Sequence, residues 1–484
     1  MSLGGILLLE AERNQKAKRL FMLNYNVKSY KHRIAYGAWL NDVRCEPLPL
    51  QDWPAPQLDD EAVNSLIKAM DVQYEAGYNA VDLWGLFSTW DWPPDIVSAV
   101  DSCRRRRICQ IVDAAKERGL KLILGFGNYS WGYRKITAAN PSLMGRDHDG
   151  RMLDNVLCDA NPESFEYVKR MLDFALSEFE FQGVHLESCD LGCCECPECA
   201  GKYGSVGYNA RINKKTADYI RSRWPDKAIY VITIGWLRGA VSSPNRKNST
   251  PEEREEIADL SRHVDCIVDH GPDFHIAEPD RRDFIARLHC DYGTSTGIWV
   301  YHDVRTERGS YFLPYPRRMG EAIKFGYEEG VRGCLVYQGP VNNAGAEATM
   351  AVGGRMLADA SRSPDEALAE VLDFYYKPKS AHAHRLLISI FHRAEDSYFD
   401  GKSAEVLVSP LFGTQPGPAS YLLDPLLDSS GRALYRRALV SILQDLPILE
   451  GCCDDGGRMR NIAVSVSTTL RLLNTISCSL GESL

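Results

Sequence analysis

The stretch FQGVHLESCDLGCCECPEC, residues 181–199, decides how this chain is read. Its first half is a short apolar run, Gly183 to Leu186, that ends on an acid, Glu187; a second acid, Asp190, follows three residues later. A run of this length bounded by polar residues is read as a buried strand. The second half packs five cysteines, Cys189, Cys193, Cys194, Cys196 and Cys199, into eleven residues. Two questions follow: to what sheet the strand belongs, and what the thiols do beside it.

Working outward, seven more short β-rich runs fall at residues 34–40, 80–86, 120–126, 229–234, 266–269, 298–302 and 334–338. Amphipathic segments separate them. In residues 162–179, for example, Phe165, Val168, Leu172, Ala175 and Phe179 recur on one face of a helix. Residues 96–118 read as another helix. Strands alternating with helices call for a parallel sheet with crossover helices, and eight of them for an α/β fold of the (β/α)8 TIM-barrel type. The punctuation agrees, because Gly77, Gly119 and Gly330 each stand between a helical segment and the next strand, where glycine supplies a left-handed cap. The strands stop near Ala360. Residues 364–376, 382–398, 431–446 and 458–477 then read as helices, interrupted by a Gly/Pro-rich stretch at 410–418. The expected organisation is an N-terminal arm over 1–31, a barrel over 32–362 and an α-helical domain over 363–484.

Bulk properties bound the function. With 484 residues, 44% hydrophobic and 25% charged, the chain can bury a large core. A net charge of −9 excludes a general phosphate-binding surface, so no nucleic-acid partner is expected. The one basic block, Arg104 to Arg107, falls in a helical pattern and reads as a solvated face. The apolar run at residues 6–9 is too short for a secretory core, and no stretch approaches the roughly 18 apolar residues that span a bilayer. A cytoplasmic protein without a membrane partner is expected; the oligomeric state is left open. Most of the fifteen cysteines are scattered singly, as Cys266, Cys290 and Cys334 are, and read as small buried hydrophobes.

In barrels of this type the reacting groups lie at the C-terminal ends of the strands and in the loops that follow. Applied here, that rule selects Asp82 and Trp84, Asn128 and Trp131, Glu187 with Asp190, Trp236, Asp269 with His270, His302 with Asp303, and Tyr337 with Gln338. Acids, aromatics and amides of this kind suit a carbohydrate: rings stack on the apolar face of a sugar, polar groups satisfy its hydroxyls, and two carboxyl groups cleave the bond. Glu187 is the expected general acid, and Asp269 or Asp303 the base or nucleophile, with no cofactor needed for catalysis. Any one of the tryptophans or histidines taken alone reads equally as a core aromatic or a satisfied structural group. The cysteine loop admits three readings: a structural zinc held by thiolates, disulfides, or free thiols. The spacing of Cys189, Cys193 and Cys196 also matches an iron–sulfur motif, but such motifs follow the first strand of their barrel and this one follows the fourth.

With those residues in view, the chain resembles glycoside-hydrolase barrels of the alpha-glucuronidase-like and related uncharacterised groups. The likeness is carried by Cys158-Asp159-Ala160-Asn161-Pro162 before strand four, by the GVHLES strand with its CECPEC sequel, and by Phe374-Tyr375-Tyr376-Lys377-Pro378 in the helical appendage. It covers roughly His32 to Asp400. The resemblance implies a glutamate acid after strand four and an Asp and a Glu on later strands that activate water. Glu187 and Asp269 match that order, whereas Asp303 stands where a glutamate is expected. The resulting expectation is a hydrolase of a small oligosaccharide or glycoside. Its alternatives are a catalytically inactive sugar-binding barrel or scaffold and, further off, a redox enzyme built on the cysteine loop.

Overall fold

The computed structural model describes residues 28–37, 58–87, 91–189, 192–200, 204–232, 251–269, 296–300, 312–328, 330–337, 344–399, 429–455 and 457–481. In chain order the strands are β1 (His32–Gly37), β2 (Ala80–Leu83), β3 (Lys121–Gly127), β4 (Met144–Arg146), β5 (Met152–Leu157), β6 (Gly183–Glu187), β7 (Ala228–Ile232), β8 (Cys266–Asp269), β9 (Thr296–Val300) and β10 (Gly333–Tyr337). β4 and β5 form a small antiparallel hairpin that the strand pattern does not announce. The other eight are the expected strands, and they close into a parallel barrel in the order β1-β2-β3-β6-β7-β8-β9-β10.

Alternation along each strand sorts the side chains into two layers. Ile34, Tyr36, Ala80, Ile123, Tyr230, Ile232, Cys266, Val268 and Leu335 meet inside the barrel, together with Trp84 and Trp131. Their strand neighbours Val81, Leu83, Leu122, Leu124, Val184 and Leu186 pack outward against the helices.

Nine helices belong to the barrel region among the described residues: α1 (Asp60–Ala76), α2 (Ser102–Glu117), α3 (Arg134–Ala139), α4 (Pro162–Glu178), α5 (Pro197–Ala200), α6 (Gly204–Arg223), α7 (Pro251–Ser261), α8 (Pro316–Glu328) and α9 (Ala344–Ala358). Side-chain caps fix the starts of several. Asp59 accepts from the Ala62 amide at 2.9 Å and Asn161, with Pro162 after it, from the Glu163 amide at 3.1 Å. The segment expected as one helix over 96–118 is broken. Asp101 takes an extended backbone and caps α2 by accepting from the Arg104 amide at 2.7 Å, which leaves Ile96–Ala99 as a separate 3-10 turn. The arginine block is also more than a solvated face, since Arg104 donates to the carbonyls of Leu86 (2.6 Å) and Gly85 (2.9 Å) and so ties down the loop after β2.

Four more helices follow: α10 (Pro364–Tyr376), α11 (Ala381–Phe399), α12 (Ser429–Leu449) and α13 (Arg458–Ser479). Ser363 and Glu366 close a reciprocal capping box at the start of α10. One apolar cluster takes in Met319 and Ile323 of α8, Leu357 of α9, Leu372, Phe391, Leu439 and Leu473. The C-terminal helices thus bury their faces against the barrel's last two helices. Polar ties reinforce the seam. Glu395 of α11 accepts from the backbone amides of Arg317 (3.2 Å) and Arg318 (2.9 Å) at the N-terminus of α8, and Arg458 of α13 makes a two-pronged bond to Glu347 of α9 at 2.9 and 3.0 Å. Tyr30, just before β1, donates to the Ile323 carbonyl at 2.6 Å. Among the described residues no helix is long and apolar enough to cross a membrane.

Candidate active site at the barrel mouth

Strand β6 carries the site. Its residues Val184 and Leu186 face the helices, so the alternate set, Gly183, His185 and Glu187, belongs to the lumen. Glu187 is the last of that set, at the C-terminal mouth, and only 4% exposed. Its carbonyl accepts from the Asn128 amide at 2.6 Å, which extends the β3–β6 ladder by one step.

One step deeper lies a polar pair. His185 Nδ1 is hydrogen-bonded to Asp82 Oδ2 across the lumen, both side chains being fully buried. The pair bridges from β6 to β2 over the intervening β3, and it can do so because β3 presents Gly125 and Gly127 on its inner face. A β-carbon on Gly125 would stand 2.3 Å from the Trp84 indole, so the space left by the glycine is filled by that ring. Burial pushes the Asp82 carboxyl above its ordinary value, and the bond to His185 opposes the shift. Asp82 Oδ1 and His185 Nε2 have no partner among the described residues. Trp84 and Tyr36 close against the imidazole edge-on, at ring separations of 5.8 and 5.9 Å, and Trp131 stands 6.2 Å from Trp84. An acid at the rim, a polar pair beneath it and an aromatic wall on one side are suited to gripping a polar ligand with apolar faces.

The loop after β3 is built with stored strain. Tyr129 (φ 66°) and Trp131 (φ 75°) both adopt the left-handed region that side chains larger than glycine avoid. Several bonds hold them there. The Leu157 amide of β5 donates to the Tyr129 carbonyl at 2.8 Å, the Tyr129 hydroxyl donates to Asp159 at 2.6 Å, and the Tyr133 hydroxyl donates to the Gly127 carbonyl at 2.7 Å. Ser130 bridges to Val156. The hairpin is therefore the clamp that aims Trp131 at the lumen.

Asn128 is fully buried, and its amide is engaged by helix α6: it donates to Asn213 at 2.8 Å and accepts from Thr216 at 2.9 Å. Asn213 in turn donates to Ser188 at 2.9 Å, next to the acid. Asp269 is the last residue of β8, and Tyr337 is the last of β10, paired in register with Tyr36. Asp190, Trp236, His270, His302, Asp303 and Gln338 lie outside the described residues. His185 was not legible as a site residue, since a single histidine in an apolar run reads as core; its signal is a polar residue at a lumen position two before the acid. Asn213 is likewise silent in sequence, being one polar residue on a helix.

The thiols sort into two groups. The sulfurs of Cys158, Cys194, Cys196 and Cys199 all lie within 4.8 Å of one another. Cys189 and Cys193 instead share a hydrogen bond with each other, next to Asn209. The clustered set thus keeps three of the five cysteines that the local motif offers and gains Cys158, which directly follows β5 and is far from the motif in sequence. Local spacing brings Cys189 and Cys193 near the cluster in sequence, but Gly192, in a left-handed turn (φ 96°), redirects the chain ahead of the CECPEC segment.

Fold and site together define an α/β barrel with a helical extension and a buried lumen glutamate on its fourth strand. No protein-family model matches the chain, and neither does any curated protein. Solved structures do: a GH138 enzyme targeting pectin rhamnogalacturonan II superposes with a TM-score of 0.60 at 10% identity. The match covers 93% of this chain and 58% of that one, so the chain spans less than two thirds of its length. CpGH84B follows at 0.52 and 10% identity, over 93% and 69% of the two chains. CpGH84D gives 0.51 and 9%, over 94% and 67%. These neighbours are glycoside hydrolases, and at such identities the likeness is one of fold.

Proposed function

We propose that the chain is a glycoside hydrolase that cleaves a small oligosaccharide or glycoside at the C-terminal mouth of its barrel. The observation that carries this reading is Glu187: a carboxyl almost removed from water, at the lumen end of the fourth strand, one step above the His185 imidazole that Trp84 and Tyr36 close against. A carboxyl at this position can act as the general acid and hand a proton to the leaving oxygen. The opposing carboxylate, base or nucleophile, is assigned to Asp269 at the end of β8 or Asp303 after β9. Trp84 and Trp131 wall the site, and the Asp82–His185 pair lies beneath it as a buried polar floor. The likeness of fold to glycoside hydrolases agrees with this reading. Catalysis in this scheme uses no metal or organic cofactor.

The test is hydrolysis of a panel of glycosides by Glu187→Gln. Loss of a general acid is expected to cost about 10²- to 10⁴-fold in kcat/KM, with a larger loss for alkyl or sugar leaving groups than for nitrophenolate, which departs without a proton. An unchanged melting curve assigns the loss to chemistry. Undiminished turnover, or an equal loss for both leaving groups, overturns the role of Glu187.

A further inference from the structure

We propose that Cys158, Cys194, Cys196 and Cys199 bind one Zn²⁺ as a closed tetrahedral site, and that this ion locks the β4–β5 hairpin to the loop after β6. Zinc–thiolate bonds are about 2.3 Å long, which sets the sulfur–sulfur edge of a regular tetrahedron at about 3.8 Å. Cys158 Sγ lies 3.7 Å from both Cys196 Sγ and Cys199 Sγ, and none of the thirteen described cysteines is in a disulfide. Four thiolates that each hold a different iron of a cuboidal cluster stand further apart than four that share one ion, so the spacing favours a single metal.

The surroundings are those of thiolates. The Arg146 amide points at Cys194 Sγ at 3.4 Å, and the amides of Cys196 and Ala160 are turned to Cys194 and to Cys158 and Cys199. Such N–H donors around sulfur stabilise its anion and fix the ligands of a metal. Four sulfurs within 4.8 Å of one another cannot all ionise without a counter-charge between them. A divalent cation removes that conflict by stabilising all four anions together. Four protein ligands leave no open position, so the ion is structural.

Its consequence for the barrel mouth follows from connectivity. Cys158 comes directly after β5, and β5 holds the strained loop carrying Trp131. Cys194 comes from the chain that leaves Glu187, and the Glu195 amide donates to the Arg146 carbonyl at 2.6 Å, adding that chain to the edge of the hairpin. The ion fastens the loops after the third and fourth barrel strands into one piece. This assignment stands apart from the catalytic reading, and neither falls with the other.

Elemental analysis of the full-length protein, purified without metal-affinity resin, is expected to give one equivalent of zinc. Removal of the ion with a thiol-blocking reagent and a chelator, or reconstitution of the apoprotein with Co²⁺, reads the ligands: Co²⁺ should show the intense visible bands of tetrahedral thiolate coordination. Cys158→Ser is expected to lose at least half of the bound zinc, and Cys189→Ser to retain it. Should Cys158→Ser fail to fold, the cobalt spectrum of the wild-type chain still decides. Purified protein that carries no zinc and yields no thiolate spectrum with Co²⁺ overturns the proposal, as does a coloured protein containing iron, or zinc that survives Cys158→Ser and is lost in Cys189→Ser.

Discussion

Glu395 offers the sharpest test of how the C-terminal helices are joined to the barrel. Its carboxyl, on α11, is buried against the first turn of α8, where it accepts from the amides of Arg317 and Arg318. Burial is nevertheless the stronger influence, and it raises the acid from its ordinary 4.5 to about 7 despite those donors. A carboxyl whose folded value is raised stabilises the fold fully below 4.5, and this contribution is lost as the pH rises through about 7. The shift is worth about 3 kcal/mol. For a chain of 484 residues, the usual unfolding entropy per residue turns that into about 3 °C of melting temperature. Glu395→Gln removes the titration and keeps one oxygen for one of the two amides, the other facing the side-chain NH2, a loss that does not vary with pH. Relative to the wild type, the variant's melting temperature should therefore rise by about 2–3 °C between pH 5 and pH 8, as the wild-type carboxyl loses its proton. Comparing the two proteins at each pH cancels every other titrating group. Glu395→Ala, which leaves both amides without that acceptor, should be destabilised by about 1–3 kcal/mol at either pH. A difference between the two proteins that does not change between pH 5 and pH 8, or that moves in the wild type's favour as the pH rises, would refute the reasoning and show that the anion is what the helix end requires.

Two further outcomes test the mouth. Gly125→Ala puts a β-carbon 2.3 Å from the Trp84 indole, a flat ring held on several sides that cannot yield cheaply; overpacking of about 1–3 kcal/mol should appear as a lower urea midpoint with altered tryptophan fluorescence, and an unchanged protein would mean that Trp84 does not fill the lumen there. Asn213→Ala strips Asn128 of an acceptor and Ser188 of a donor in a fully buried network. It should cost about 1–3 kcal/mol of stability by denaturant titration, while a neutral effect would show that the network does not brace the loop beside Glu187.

What could be read before folding follows from local physics. The eight barrel strands were legible because each is a short run whose neighbours in sequence are amphipathic helices, and the end of β6 at Glu187 falls where the residue pattern puts it. The helix starts at Pro162 and Pro364 were legible for the same reason, since a cap is a matter between residues three or four apart. The break at Asp101 was missed because a helix-compatible period runs through it, and only the competition between capping and continuation ends the turn. The hairpin β4–β5 was missed because its strands are short and mixed in character, and gain their order from packing on the loop after β3.

The chain by itself therefore determined the architecture, the direction of every barrel strand and the place of a carboxyl at the fourth strand's end, because period and punctuation are properties of neighbouring residues. Only the tertiary structure decided which groups meet. It joined Asp82 to His185 across 103 positions of sequence, gave Asn128 to Asn213 instead of leaving it open, and replaced Cys189 and Cys193 with Cys158 in the thiol cluster. The physical reason is common to all three: closing the barrel brings β2, β3 and β6 side by side, and pairs formed by that closure leave no trace in the spacing of residues along the chain.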